Sequence, residues 1–288
     1  MHSVYAHRGS SGAFAENTRA AFLQAIADGA DGIECDVHLS EDLQLVCFHD
    51  ASVDRTSDGT GALAGRTLKE LRRLDVSSWK GVRIPDEFGA RSEQLVTLRE
   101  LIGLMVDSGR ELGLAVELKH PSPFGRKLEE RVLAELMGLG WDPDTSRIGG
   151  ITVSLMSFDA GSIRYLLDSV PGEHLCQLVT GVDEDAVESL GQLGRAAATQ
   201  VLNRVLADGL EVIGSGAVGI AGPGVAFVRE NPELVRGWID AGRTVRVWTA
   251  NAPEDVDFLA DLGVQELTSD YPVRVKERLA AGSGGPAE

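Results

Sequence analysis

Short apolar runs alternate with stretches of helical periodicity along most of the chain. Several runs are apolar at nearly every position, which is typical of strands buried on both faces of a parallel sheet. The pattern predicts eight strands, at residues 4–7, 32–39, 113–118, 150–156, 174–179, 217–220, 244–249 and 264–268. Amphipathic stretches between them predict helices at residues 17–27, 98–108, 126–137, 159–167, 232–241 and 253–262. Eight strands alternating with helices favour an α/β fold, a closed (β/α)8 TIM barrel, over an open sheet.

The regular alternation is interrupted after the second predicted strand. Residues 43–48 form an extra extended stretch after a turn at residues 40–42, and residues 50–97 are long and irregular, with a short helix around 68–74. A connection of this length in a compact domain is usually functional or a small subdomain. It follows the C-terminal end of a barrel strand, where such barrels place their chemistry. We therefore expect an insertion near the mouth of the barrel.

The length of the chain fits one domain. A barrel of this type needs roughly 250 residues, and the chain has 288. We expect a single barrel domain over residues 1–281, with the insertion at about 50–97, followed by a small, polar, disordered tail at 282–288. Residues 182–216 predict one or two helices with a short connection between them.

The charge of the chain limits its partners. The formal net charge is −17, and so acidic a surface repels nucleic-acid backbones and anionic membranes. We expect no nucleic-acid partner and no membrane span, since no apolar stretch approaches the roughly 18 residues that a spanning helix needs. A small anionic substrate remains compatible with this charge if local cations reverse the field at its site. The oligomeric state is left open.

The cysteines and the first residues bear on the compartment. The three cysteines, Cys35, Cys47 and Cys176, show no CxxC spacing, which argues against a disulfide framework or a zinc site. The first dozen residues have neither a basic segment nor an apolar segment of the kind found in signal peptides. From these features we expect a reduced, cytoplasmic protein.

Three carboxylates lie within the predicted strands. Side chains alternate between the two faces of a strand, so Glu34 and Asp36 share one face, and Glu117 shares a face with Lys119. Three carboxylates near the mouth of one barrel repel each other, and a bound divalent cation removes that repulsion. Ligation by oxygen alone suits Mg²⁺ or Ca²⁺.

Further polar residues fall at the ends of extended segments. His7 and Arg8 end the first strand, His49 ends the extra extended stretch, and Lys119 ends the third strand. Imidazole suits proton transfer near neutral pH, and Arg and Lys suit phosphate oxygens. With a metal as Lewis acid, the set favours phosphoryl chemistry. Trp248, at the end of a later strand, is either core or an apolar wall of the pocket.

Each of these residues taken alone has an ordinary structural explanation. A single strand carboxylate is more often a surface residue or an ion-pair partner. His2, His38, His120 and His174 are interpreted in this way, although His38 shares the face of Asp36. The combination of residue types at strand ends therefore carries the functional interpretation.

Motifs along nearly the whole chain resemble those of the glycerophosphodiester phosphodiesterase family. The segment AHRGSSGAFAENTRAAFLQAIADGADGIECDVHLSEDLQLVCFHD resembles that family's opening signature, with HRG, ENT, GAD, ExD and HD elements in order. RTSDGTG resembles its turn at the start of the insertion, and VELK and SLMSFD resemble its third and fourth strands. VRVWTAN and ELTSDYP resemble its last two strands.

The resemblance implies a (β/α)8 barrel, an activity and a role for each matching residue. It implies hydrolysis of a small-molecule glycerophosphodiester to glycerol 3-phosphate and an alcohol, with a divalent cation, Mg²⁺ or Ca²⁺. The implied metal ligands are Glu34, Asp36 and Glu117, and the implied acid/base pair is His7 and His49. Arg8 and Lys119 are implied to contact the phosphate, and Trp248 to line the pocket.

Two positions depart from the family pattern. Ala15 stands where the family usually has proline, and Leu43 stands at a glycine position of the turn after the second strand. The leucine suggests a different hairpin turn. Because none of the implied catalytic residues is replaced, these departures concern loop geometry and specificity.

Two other functions use the same barrel. One is head-group cleavage of a lysophospholipid or sphingolipid, as in a lysophospholipase D or sphingomyelinase D, which an apolar surface around the mouth would favour. The other is a non-catalytic barrel that binds phosphodiesters, which should have lost some acid/base or metal residues. The presence of the whole set favours the enzyme.

Overall fold

Eight parallel strands close into a barrel in the structure, a computed structural model that describes residues 2–182, 187–188 and 194–282. The barrel strands are β1 Ser3–Ala6, β2 Gly32–Leu39, β4 Leu112–Leu118, β6 Ile151–Ser157, β7 Leu175–Val179, β8 Ile220–Pro223, β9 Thr244–Val247 and β10 Glu266–Ser269. β1 pairs with both β10 and β2, which closes the cylinder. The predicted (β/α)8 fold is confirmed.

Helices surround the barrel. They are α1 Arg19–Ala27, α2 Leu68–Leu71, α3 Leu98–Asp107, α4 Lys127–Gly138, α5 Ala160–Leu166, α6 Arg195–Ser215, α7 Val225–Glu230, α8 Pro232–Asp240, α9 Pro253–Leu262 and α10 Pro272–Gly282. Helix α3 shows how the sequence specifies such an element. Thr97 caps its first turn, and Glu100 reaches back to the Thr97 backbone, which forms a capping box. Helical spacing then buries one apolar face, at Leu98, Leu101, Ile102 and Met105.

The barrel has an outer and an inner apolar layer. Outward-facing strand residues pack against the helices in the main core. A smaller inner cluster contains Tyr5, Ala115, Met156, Cys176, Leu178 and Ile220, with Phe158 and Trp248 against it. The Tyr5 ring occupies the space above Gly32 and Gly113, where an added Cβ would lie 2.3 and 2.2 Å from its atoms. Glycine at both positions therefore makes room for an aromatic plug at the base of the barrel.

The insertion starts from a hairpin on β2. Because β1 is short, it pairs only with residues 32–33 of β2. The upper part of β2 instead pairs antiparallel with β3, Leu45–Cys47. The insertion has its own apolar cluster, formed by Val46, Phe48, Val53, Leu63, Leu71, Val76 and Leu95. The root of the insertion is thus hydrogen-bonded to the strand that carries Glu34 and Asp36.

Several predicted boundaries are wrong. The sixth barrel strand is Ile220–Pro223 instead of 217–220, because its IAGP sequence contains the glycine and proline that usually mark turns. A two-residue strand, β5 Arg147–Ile148, and helices α7 and α10 were not predicted. The extra extended stretch is shorter than 43–48, and the first helix is capped by Thr18 rather than Asn17.

The remaining differences concern the later chain and one turn. Residues 195–215 form one helix, whereas much of the rest of the predicted 182–216 region lies outside the described residues. Gly282, the first residue of the predicted disordered tail, belongs to α10, and the rest of that tail, residues 283–288, lies outside the described range. Leu43 has φ +57°, the left-handed conformation that glycine favours. Leu43 therefore adopts the backbone conformation that glycine favours at this position of the turn.

Candidate active site

The three predicted metal-ligand carboxylates meet inside the barrel. Parallel pairing of β2 with β4 aligns Asp36 with Glu117, and Glu34 lies two residues before Asp36 on the same face. One oxygen from each carboxylate lies within 4.8 Å of the others, and all three residues are buried. Period-two alternation and the register of two neighbouring strands thus assemble an acidic cluster.

Two cations lie against this cluster. Lys119 Nζ is 2.9 Å from Asp36 Oδ1 and 2.7 Å from Glu117 Oε1, and Arg8 Nε is 3.2 Å from Asp36 Oδ2. Burial alone would raise the pKa of Asp36, but Lys119 and Arg8 hold that pKa well below its usual range. Burial would likewise lower the pKa of Lys119, and the two carboxylates raise it instead. Asp36 and Lys119 therefore stay charged at neutral pH.

Among the residues that the structure describes, none forms an ion pair with Glu34, unlike Asp36 and Glu117. The Arg8 backbone N–H donates to Glu34 Oε2 at 2.9 Å. Burial and the neighbouring Asp36 charge raise the pKa of Glu34 well above its usual range. Asp36 Oδ1, also buried, forms no hydrogen bond with any described residue, since its contact with Lys119 lacks hydrogen-bond geometry. Excess negative charge and an oxygen without a hydrogen bond both fit a hard divalent cation.

Local backbone geometry aims the surrounding groups at this cluster. Arg8 has φ +55° and Gly9 has φ +78°, so the chain turns sharply after β1 and presents the Arg8 N–H to Glu34. Asn17 also has φ +55°, and its Nδ2 donates to Asp36 Oδ2 at 2.7 Å. Left-handed conformations at non-glycine residues are uncommon and cluster at functional sites.

His7 is held by a carboxylate from the other end of the chain. Its Nδ1 lies 2.7 Å from Asp270 Oδ1. Because a carboxylate only accepts, the proton lies on Nδ1, which leaves Nε2 available to exchange a proton. Burial would raise the pKa of Asp270, but hydrogen bonds from His7, Ser11 and Asn251 hold that pKa well below its usual range.

His49 is held in the same way, by its neighbour. His49 Nδ1 lies 2.6 Å from Asp50 Oδ1, and Arg55 donates to both oxygens of Asp50 at 2.7 and 2.9 Å. Arg55 also donates to both oxygens of Glu16, which in turn accepts from Arg8 Nη1 at 2.9 Å. A chain of alternating charges thus links the insertion, His49 and Arg8.

Apart from Asp36, the predicted site residues line one cleft. It is lined by His7, Arg8, Glu34, His49, Glu117, Lys119, Met156, Phe158, Leu178, Arg246, Trp248 and Thr268. Asp36 contacts Arg8 and Lys119, which lie on the lining. Trp248 donates its indole N–H to Gly222 O at 2.9 Å and packs edge-on against Phe158, with ring centroids 5.4 Å apart. Trp248 therefore forms part of an apolar wall.

The other histidines lie outside this lining. His38 Nε2 is 3.0 Å from His49 O, so His38 contacts the backbone beneath a predicted catalytic residue. His120 pairs with Glu129, His2 lies near Val264 O, and His174 lies near Asp144 O. The interpretation of these four as structural residues agrees with their positions.

Sequence reasoning missed the partners of the predicted residues. Asp270, Asp50, Arg55 and Glu16 all lie in the quoted motifs SDYP, HD, RTSDGTG and ENT, but no role was assigned to them. An acidic residue directly after a histidine, or at the end of the last strand, was the available signal. Arg246 and Thr268, which line the cleft from β9 and β10, were also missed.

Comparison with known proteins agrees with this geometry. Residues 7–274 match the Glycerophosphoryl diester phosphodiesterase family. The chain belongs to this family. A glycerophosphodiester phosphodiesterase 1 of Mycobacterium tuberculosis is 35% identical over 280 residues, covering 97% of this chain and 93% of that protein. A glycerophosphodiester phosphodiesterase of Caldanaerobacter subterraneus is 29% identical over 269 residues, covering 93% of this chain and 94% of that protein.

Solved structures share the family fold. A phosphodiesterase of Oleispira antarctica, in complex with the product sn-glycerol-3-phosphate, superposes with a TM-score of 0.73 at 26% identity, covering 96% of each chain. A glycerophosphodiester phosphodiesterase of Thermotoga maritima has a TM-score of 0.65 at 21% identity, covering 97% of this chain and 98% of that chain, and shows the fold alone. Within the described ranges, no helix of this family member is long and apolar enough to cross a membrane.

Proposed function

We propose that this family member hydrolyses glycerophosphodiesters to glycerol 3-phosphate and an alcohol, with the help of a divalent cation. The observation that carries the proposal is the single cleft that brings His7 and His49 together with Glu34 and Glu117. Family membership and the product-bound Oleispira relative support the substrate class.

Glu34, Asp36 and Glu117 would hold the cation. The cluster offers oxygen ligands only, which favours Mg²⁺ or Ca²⁺ over softer metals. When bound, the cation supplies Lewis-acid polarisation of the phosphate. Arg8 and Lys119 lie on the same lining and neutralise negative charge that develops on the phosphate oxygens.

The two histidines carry the proton transfers. One takes a proton from the nucleophile, and the other protonates the leaving alkoxide. Each imidazole is oriented by a carboxylate at Nδ1, so each exchanges its proton through Nε2. Trp248 supplies an apolar wall that limits water around the reacting phosphate.

The insertion shapes the mouth of the cleft. His49 lies at its root, and Arg55 ties it to Glu16 in the barrel loops. We place residues 1–281 in one domain, because the insertion packs against the barrel. Its cluster includes Val46 on β3, and its residues Ile84 and Phe88 pack against Phe14, Ala20 and Ala21. Head-group cleavage of a lysolipid is a second candidate, favoured by the exposed side chains of Trp79 and Val82 on the insertion.

The three cysteines are buried free thiols. Unpaired thiols of this kind fit a reducing compartment, and we propose that the protein acts in the cytoplasm.

A metal-supplemented activity screen tests the proposal. Glycerophosphocholine, other glycerophosphodiesters and a lysolipid are compared with Mg²⁺ or Ca²⁺, with and without EDTA. Chelator-sensitive release of glycerol 3-phosphate supports the function, and faster turnover of the lysolipid favours the second candidate. If no diester is turned over, the result favours a non-catalytic barrel that binds phosphodiesters.

Variants of the two histidines test the assigned roles. His7→Ala and His49→Ala should each lose at least about 10²-fold in kcat, because a general acid or base contributes on that scale. His174→Ala, remote from the cleft lining, is the matched control. Near-normal kcat in either cleft variant, with its fold intact, contradicts the acid/base assignment.

A further inference from the structure

An arginine occupies the interior of the barrel beneath the proposed catalytic groups. Arg246 lies on β9, is 2% exposed and lines the cleft. Its Nε donates to Glu266 Oε2 at 2.6 Å, and its Nη1 donates to Ser154 Oγ at 2.8 Å. Its guanidinium carbon lies 4.3 Å from the centroid of the Tyr5 ring. The guanidinium is therefore held from three sides in one orientation.

These contacts leave hydrogen-bonding capacity on a side chain that lines the cleft. A guanidinium has five N–H donors, and Glu266 and Ser154 use one on Nε and one on Nη1. Even with the phenol of Tyr5 accepting another, N–H groups remain for a ligand oxygen. A buried Arg with so many fixed contacts is a rigid donor, which loses little entropy when a ligand binds.

The surroundings of Arg246 indicate the size and polarity of that ligand. Thr268, on the neighbouring strand β10, lines the same cleft and brings a hydroxyl. Met156, Phe158 and Leu178 supply apolar walls. A site with one cationic donor, one hydroxyl and apolar walls suits a short polyol, whose oxygens pair with the polar groups while its C–H faces contact the walls.

We propose that Arg246 is a specificity-determining residue that receives the glycerol end of the substrate. This inference rests on the proposed function. With the phosphate among His7, His49 and Lys119, one arm of the diester extends into the barrel and the other towards the insertion. The inner arm is the glycerol, whose hydroxyls accept from Arg246 and pair with Thr268. The alcohol arm faces the mouth, where larger groups fit.

The test compares two substrates that differ only in the inner arm. They are glyceryl 4-nitrophenyl phosphate and propyl 4-nitrophenyl phosphate. Arg246→Met alone would leave the half-buried Glu266 without its partner, so the test variant is Arg246→Met with Glu266→Gln. Glu266→Gln alone is its matched control. Thr268→Val, close in shape to threonine, is a second variant that keeps the ion pair.

The double variant should lose about 10- to 100-fold in kcat/KM on the glyceryl substrate and little on the propyl substrate, because a site that pairs with a hydroxyl discriminates strongly against its absence. Thr268→Val should lose roughly threefold to tenfold on the glyceryl substrate alone. In both variants, glycerol 3-phosphate should also become a weaker competitive inhibitor relative to propyl phosphate. The Glu266→Gln control should keep the wild-type preference.

Equal losses on both substrates, or an unchanged preference in both variants, overturn the inference and assign Arg246 a purely structural role. A wild-type protein that cleaves the propyl substrate but no glycerophosphodiester overturns the proposed function itself. The two failures are distinguished by the wild-type preference, which is measured before any variant. If the double variant does not fold, Thr268→Val with the inhibition series decides.

Discussion

Nδ1 of His7 lies 2.7 Å from Oδ1 of Asp270, although the two residues are 263 positions apart. The parallel pairing of β1 with β10 aligns Ala6 with Ser269, so the residues that follow each strand meet. The orientation of a proposed catalytic imidazole at the start of the chain therefore depends on a carboxylate near its end.

Replacement of Asp270 by asparagine should impair turnover more than substrate binding. Asparagine keeps the size of the side chain but removes the negative charge that fixes the proton on His7 Nδ1. We expect kcat to fall on the order of 10²-fold, with KM changed by less than about threefold. Steady-state kinetics on a glycerophosphodiester, together with the pH profile of kcat, measure both effects.

Ser11→Ala provides the control for this variant. Ser11 also donates to Asp270 Oδ1, at 2.8 Å, without contacting His7 through a hydrogen bond. We expect a loss below about fivefold, since the hydrogen bond between His7 and Asp270 stays intact. Comparable losses in the two variants would mean that Asp270 acts through the loop structure rather than through His7.

Arg55→Met should weaken the support of His49. Arg55 binds Asp50, the partner of His49, and Glu16, the partner of Arg8. Without these two ion pairs, the insertion is held less firmly against the barrel. We therefore expect kcat/KM to fall roughly 10- to 100-fold. Steady-state kinetics and thermal unfolding of the same preparation separate a loss of activity from a loss of fold.

Arg66→Met is the matched control. Arg66 lies on the same insertion and donates to the backbone of Thr60, away from the cleft. Its activity should stay within about twofold of wild type. A loss in Arg55→Met no greater than in Arg66→Met rules out the positioning role.

Glu34→Gln should abolish cation binding and increase the stability of the metal-free protein. Burial and the Asp36 charge raise the pKa of Glu34 well above its usual range, so a neutral amide removes a repulsion. In EDTA we expect the free energy of unfolding to rise by about 1 kcal/mol. The rise in Tm that Mg²⁺ or Ca²⁺ produces in wild type should be lost, because a ligand that binds only the folded state stabilises it.

Urea unfolding in EDTA and thermal melts with added cation measure the two effects. Glu41→Gln, an exposed carboxylate just after the same strand, is the control and should change neither. A Glu34→Gln protein that is less stable than wild type in EDTA contradicts the predicted repulsion.

Glu129→Gln should remove part of the acid sensitivity of folding. Burial would raise the pKa of Glu129, but hydrogen bonds from His120 and Arg126 lower that pKa to about 2. The unfolded value is about 4.3. A depressed folded pKa gives stability that is present above pH ~4.3 and is lost as the pH falls towards about 2. We expect the loss in wild type to be on the order of 2 kcal/mol.

The measurement is urea unfolding at pH 7, 5, 4 and 3. Glu129→Gln should be less stable than wild type at pH 7, and the difference should shrink at pH 3. Glu130→Gln, the exposed neighbour, should follow the wild-type curve. Parallel curves for wild type and Glu129→Gln would contradict the predicted linkage.

Much of the fold was predictable because strands buried on both faces leave a strong apolar signal. The strand at Gly32–Leu39 was predicted at its full length. The strand at Ile220–Pro223 was misplaced, since its pairing with Cys176 to Val179 holds in place a sequence that has little strand preference of its own. The position of this strand depends on its neighbouring strands, so the local sequence alone does not predict it.

The candidate site was predictable to the extent that it follows strand periodicity. Glu34 and Asp36 lie on one face because side chains alternate, and their neighbour Glu117 follows from the order of the strands. The partnership of His7 with Asp270 depends instead on closure of the barrel. The interior position of Arg246 follows from the same alternation of side chains, but no interior position was predicted for this arginine.

The hairpin between β2 and β3 has a consequence for engineering. Val76 and Leu95 lie in the same apolar cluster, so the chain between them leaves that cluster and returns near the same place. The exposed part of that stretch, around Trp79 and Val82, could be exchanged for a foreign loop while the hairpin keeps the acidic strand in register. The protein thus offers a graft position at which the range of accepted alcohols can be redesigned without rebuilding the reaction centre.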